Sequence, residues 1–215
     1  MEILNKVSKD KIDLSIWKRR DHYNFFRKFE QPFTGISTEI NCTEAYHYCK
    51  TYNVPFFLFY LYKAHLAVNH IKEFRYRIED NEVFEYHKVS GAVTILRPDE
   101  TFGFAYFDDQ PDFNHFIQST RHAIELEKHA SGLTARAGLN AVIHYSVLPL
   151  IKFNGMQHAQ MLSSEDCVPK IVFGKFDFRN SQVFLPVSVH VHHALCDGLH
   201  IGKFIEKFQS EMELG

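Results

Sequence analysis

Cysteine is scarce in this chain, at four residues of 215, and the four, Cys42, Cys49, Cys167 and Cys196, form no C-x-x-C pair. With no secretory context either, the thiols read as reduced rather than as a disulfide framework. No run of lysine or arginine is long enough to neutralise a phosphate backbone, and 24 basic residues nearly balance 26 acidic ones, so a nucleic-acid partner is not expected. The longest apolar stretch, Val54 to Leu61, is far too short to span a bilayer, and the opening segment MEILNKVSKDKIDL has no apolar core of signal-peptide length. The expectation is a protein of the cytoplasm with no membrane partner. Low-complexity linkers and internal repeats are also missing, the hexapeptide period of a left-handed β-helix among them, which leaves one domain over residues 1–215 as the expectation.

What the chain does have is ring-bearing residues: 21 Phe, 10 Tyr and 14 His against a single Trp. Hydrophobic residues make up 45% and charged residues 23%, which is enough apolar surface to close a core. Ser15 followed by Ile16-Trp17 and the aromatics to Phe26 predicts a short capped helix. Ile36, Thr38 and Ile40 alternate with polar neighbours over Gly35 to Asn41, as in a half-buried strand. Thr43 is expected to cap a helix to about Tyr52, and Pro55 to open a buried one. Phe74 to Ile78 and Val83 to His87 flank Glu79-Asp80-Asn81-Glu82, a hairpin signal. Strands follow at Ala92 to Leu96 and Phe102 to Phe107, then a helix from Pro111 to about His129.

In the last third, Val142 to Val147 and Ile171 to Phe178 read as strands, and Arg179-Asn180-Ser181-Gln182 turns the chain into a final strand from Val183 to His192. Val183, Leu185, Val187, Val189 and Val191 share one of its faces; Phe184, Ser188, His190 and His192 share the other. Gly198 opens a closing helix with Ile201, Phe204, Ile205 and Phe208 on one stripe. Intermixed strands and helices predict an α/β fold, a two-layer sandwich with a mixed β-sheet covered by helices.

Candidate chemistry collects where that last strand ends. His192 and His193 stand four to six residues before Asp197 and Gly198, and strand ends that feed helix starts gather active-site groups. An imidazole there is largely neutral near pH 7 and able to take a proton from a hydroxyl, a service worth roughly a hundred- to ten-thousand-fold in rate. Zinc is the competing reading, since His190 and His192 share a face, but no carboxylate or cysteine is spaced for a closed tetrahedral site, and no metal is expected.

The run His192-His193-Ala194-Leu195-Cys196-Asp197-Gly198 resembles the His-His-x-x-x-Asp-Gly signature of the chloramphenicol acetyltransferases and of the acyltransferase cores of 2-oxo acid dehydrogenase complexes. Two further segments match in order. Trp17-Lys18-Arg19-Arg20-Asp21-His22-Tyr23 is similar to the family's Trp-x-Arg-Arg-x-His-aromatic segment, and Tyr145-Ser146-Val147-Leu148-Pro149 to its Ser-Ala-x-Pro segment.

The resemblance implies the CoA-dependent acyltransferase fold and direct transfer of acetyl from acetyl-CoA to a hydroxyl of chloramphenicol or a similar small molecule. It makes His193 the general base, Ser146 the oxyanion donor, and Asp197 with Arg19 an organising ion pair. Phe25, Phe26, Phe102, Leu133 and Val172 would line an acceptor pocket, Lys175 would meet a CoA phosphate, and Cys196 would be packing rather than a nucleophile. It also implies a homotrimer with sites between subunits, and an antibiotic-resistance role. Three positions depart from the family pattern: Phe26 stands where a tyrosine is frequent, Val172 where a threonine is, and Leu150 where tryptophan follows the proline. The first two remove hydroxyls from the acceptor pocket. Two alternatives are an acyltransferase acting on a dihydrolipoamide-type thiol or another alcohol, and a trimer that binds a small molecule without catalysis.

Overall fold

In a computed structural model of the chain, the structure describes residues 8–133, 140–159 and 166–213. The elements run β1 (Lys9–Lys11), α1 (Arg20–Phe26), β2 (Phe33–Asn41), α2 (Thr43–Thr51), α3 (Phe56–His70), β3 (Tyr76–Glu79) after a single 3-10 turn, β4 (Glu82–Tyr86), β5 (Ser90–Leu96), β6 (Phe102–Phe107), α4 (Phe113–Lys128), β7 (Val142–Val147), β8 (Lys170–Phe173), β9 (Asp177–Arg179), β10 (Gln182–His192) and α5 (Gly198–Glu213).

Among the described residues the main sheet follows the order β2-β10-β8-β7-β5-β6, with β9 pairing to β10. It is mixed, since β7 runs parallel to both β5 and β8 while the other pairs are antiparallel. A second, three-stranded sheet has the order β1-β4-β3. The β3–β4 hairpin turns on Asp80 and Asn81, both at positive φ (50° and 64°), the conformation a two-residue turn needs between right-twisted strands. Asn180 and Ser181 repeat that turn between β9 and β10.

The alternation in β10 sorts the sheet into two faces. Val183, Leu185, Val187, Val189 and Val191 are at most 1% exposed and pack with Phe204 and Phe208 of α5 and the rings of α3 in one core. The helices therefore cover one face, and Phe116 of α4 extends the cover by meeting Phe107 edge-on. The opposite face carries a row across five strands, Ser37, Ser188, Val172, Ser146 and Thr94. No helix among the described residues is long and apolar enough to cross a membrane.

Several expected boundaries differ, each for a local reason. Ser15 caps no helix: its amide and hydroxyl both donate to Asp13 Oδ1, at 2.8 and 2.7 Å, and α1 begins only at Arg20. At α2 the cap position is Cys42, and Asn41 Oδ1 accepts from the Thr43 amide at 3.0 Å. The expected strand from Ile171 to Phe178 is two strands, broken at Gly174. Residue 186 of β10 is a proline, whose carbonyl accepts from the Gly174 amide at 2.9 Å. In an antiparallel strand a residue's N–H and C=O face the same neighbour, so the N–H that proline lacks falls on this side and the ladder stops.

Candidate active site

His193 follows β10 directly and is held on three sides. Its amide donates to the Pro32 carbonyl at 2.7 Å, tying the strand end to the segment that enters β2. The Phe26 ring of α1 stacks on the imidazole, centroids 3.9 Å apart and planes 6° from parallel. Arg19 reaches its carbonyl through Nη2 at 3.4 Å while Nη1 donates to Asp197 Oδ2 at 2.6 Å. The imidazole Nδ1 is buried without a hydrogen-bond partner among the described residues.

Asp197 caps α5: its Oδ1 accepts from the Leu199 amide at 3.0 Å and meets His200 Nδ1 at 2.9 Å. Partial burial works against its charge, but Arg19 and His200 outweigh that and hold the carboxyl below its usual range. His200 reaches a second carboxylate, Glu73, at 3.6 Å. The chain of contacts Arg19, Asp197, His200 and Glu73 ties α1, α5 and the turn before β3 around the base of His193. Cys196 is buried, its Sγ donating to the Glu73 carbonyl at 3.0 Å, and burial pushes its thiol well above the usual value, which disfavours the thiolate.

Ser146 lies elsewhere. It is half-buried on β7, and its Oγ is hydrogen-bonded to Thr94 Oγ1 at 3.1 Å. Val172, fully buried, sits beside it on β8, and Ser188 of β10 lies beyond. From Ser188 the chain runs five more residues to His193, so two strand spacings and that length put Ser146 and His193 on the order of 15 Å or more apart in one chain. The candidate residues thus fall into two groups. Arg19, Phe25, Phe26, Asp197 and His193 form one. Ser146 and Val172 belong to the other, with Phe102 on the same face of the sheet at the outer strand β6, and with Leu133 and Lys175 exposed at its margins.

Exposed apolar side chains accompany both groups: Phe25 is 58% exposed, Phe102 46% and Leu133 60%, and Leu150 after Pro149 reaches 86%. Single solvent-facing apolar side chains are ordinary, and these four stand out by their number beside the two groups of candidate residues. Thr94, Pro32 and His200 carry no signal in the sequence, because each acts through a neighbour that only the folded chain supplies. Among the described residues no group of three or more His, Cys, Asp or Glu side chains is arranged to hold a metal ion.

The mixed sheet with helices on one face is the fold of solved acyltransferase structures. A chloramphenicol acetyltransferase superposes with a TM-score of 0.89 at 30% identity, covering 95% of this chain and 100% of that one. A probable dihydrolipoamide acetyltransferase from Listeria monocytogenes shares the fold at a TM-score of 0.66 and 13% identity, over 95% of this chain and 94% of its own. Chloramphenicol acetyltransferase 2 of Escherichia coli is 28% identical over 201 residues, 93% of this chain and 94% of that protein. The family model described as chloramphenicol acetyltransferase matches residues 7–209, and the chain belongs to that family.

Proposed function

We propose that this protein transfers the acetyl group of acetyl-CoA to a hydroxyl of chloramphenicol or a similar small molecule in the cytoplasm, as one catalytic domain that works in a homotrimer. The observation that carries the reading is the clamp on His193, with Phe26 on its ring, Pro32 on its amide and the Arg19–Asp197 pair beneath it. A base has to be aimed before it is useful, and those contacts aim it.

In this reading His193 takes the acceptor's proton as the oxygen bonds to the thioester carbonyl carbon. The oxygen of the resulting tetrahedral intermediate accepts a hydrogen bond from Ser146 Oγ, a donor of a kind worth about 3–4 kcal/mol. Collapse breaks the carbon–sulfur bond, and the CoA thiolate leaves with the proton held by His193. Lys175, exposed beyond the end of β8, would meet a CoA phosphate in this reading. The separation of Ser146 from His193 supports a site completed by a neighbouring copy, and the apolar surface beside each group supports burial there.

Release of free CoA from acetyl-CoA and chloramphenicol tests the proposal. The expected result is turnover that depends on chloramphenicol and falls roughly a hundred- to ten-thousand-fold in His193→Ala. Turnover unchanged in the variant removes His193 as the base.

A further inference from the structure

Beside Pro32, on the face of the sheet away from the helices, a cleft of about 500 Å³ opens between the start of β2 and the segment around Met156 to His158. Its apolar walls are Phe33 and Met156, and its polar lining is two imidazoles, His158 and His190, with the carboxamides of Gln31 and Gln157. Phe33 follows Pro32, whose carbonyl holds the amide of His193, so the cleft adjoins the base.

The two imidazoles are built into place. His190 lies over Gly35, where a Cβ would come within 2.4 Å of its Nδ1, so only glycine leaves room for the ring. Its Nε2 is taken up by Ser188 Oγ at 2.9 Å, which leaves Nδ1 as its remaining polar atom. His158 stands edge-on to His190, ring centroids 4.6 Å apart, and its Nε2 is buried with no hydrogen-bond partner among the described residues. A buried ring nitrogen left without a partner loses the free energy of a hydrogen bond unless something supplied from outside provides it.

The charge of that ligand follows from the surroundings. Among the described residues, no carboxylate or ammonium lines the cleft. Lys170, whose charge acts on both rings, is turned to Asp166 at 2.6 Å and lies 4.1 Å over the face of Phe33. Burial is the main cause that keeps both rings neutral at pH 7, with the His158 value pushed down to about 4. A ligand cation would face Lys170, and an anion would find uncharged rings.

We propose that this cleft is a subsite for a neutral hydrogen-bonding arm of the acceptor, a carboxamide or hydroxyl, held by His158 and His190 while the acceptor's reacting hydroxyl lies toward His193. The inference rests on the acetyl-transfer reading and narrows its acceptor class. The family resemblance points instead to an apolar pocket built from Phe25, Phe26, Phe102 and Leu133.

The test uses three benzyl alcohols that differ only at the para position: carbamoyl, methyl and carboxylate. Calorimetry on the full chain measures their binding to wild type, His193→Ala, His158→Leu and His158→Gln. A partly open site that spends hydrogen bonds on its ligand should favour the carbamoyl compound over the methyl one by about tenfold or more. That preference persists in His193→Ala, falls to within about threefold in His158→Leu, and is partly kept by His158→Gln, whose amide can replace the ring nitrogen. Equal or tighter binding of the methyl or carboxylate compound overturns the proposal. So does a preference unmoved by His158→Leu, or no binding by any of the three. Acetylation of the same alcohols reports separately on His193, so a missing base and a missing subsite give different results.

Discussion

The ring of Phe26 lies flat on the ring of His193, 3.9 Å between centroids. Stacking of this kind fixes the imidazole's torsion angles and shields one of its faces from water. Phe26→Ala is expected to lower kcat about tenfold or more, because an unaimed base spends less time within reach of the acceptor. Phe26→Tyr keeps the ring and should stay within a few-fold of wild type. Steady-state kinetics on the two variants decide the point; equal loss in both would mean that the stack does not aim the base.

Arg19 and Asp197 act as one unit, each largely enclosed and 2.6 Å apart. Removing either leaves the other without its partner, so Arg19→Ala and Asp197→Asn should each destabilise the fold by roughly 1–3 kcal/mol. The double variant should lose much less than the sum of the two. Urea denaturation of the three proteins measures the coupling, and additive losses would show that the pair is not an energetic unit.

Ser146→Ala should cut kcat about a hundred- to a thousand-fold, since an oxyanion donor acts only as charge develops. If the site is shared between copies, an inactive Ser146→Ala protein and an inactive His193→Ala protein, unfolded together and refolded, regain activity at about a quarter of their sites by random assortment in a ring of three. No regain in the mixed sample, with oligomers intact by light scattering, would place both residues' work within one chain.

Stability should fall with mild acid before most carboxylates titrate. His65 is wholly enclosed, its Nδ1 3.0 Å from the Tyr145 hydroxyl and its Nε2 3.1 Å from Asn69 Nδ2. Burial lowers its pKa from 6.5 to about 4, although Asp109 pulls the other way. His192 is lowered to about 4 as well, burial again leading. A folded-state value below the unfolded one means that the unfolded chain binds protons first, so the stabilisation is complete above about pH 6.5 and lost as pH falls toward 4. Thermal midpoints from pH 7.5 to 4.5 should drop across that window, with a shallower slope in His65→Gln. A flat profile down to pH 5 would contradict it.

Much of the fold is legible in one dimension because its signals are short-range. The two-residue period of β10, the Asp80-Asn81 and Asn180-Ser181 turns and the apolar stripe of α5 each depend on residues a few positions apart. The histidine of the His-His motif is marked by its neighbours in the chain, and so is Arg19. The differences come from one local bond and one approach at a distance. Ser15 turned to Asp13 instead of capping a helix, and Pro186 ended a strand that it approaches only in space.

By itself the sequence determined most of the elements, the alternation that sorts the long strand into an apolar and a polar face, and the family, since periodicity and motif spacing are properties of the chain. Tertiary structure alone decided that Ser146 and His193 stand two strand spacings and five residues apart, that Thr94 holds the serine and Phe26 the imidazole, and that His158 comes to rest against His190. Those relations link residues 32 to 167 positions apart, and such contacts exist only once strand order and register have closed the distance.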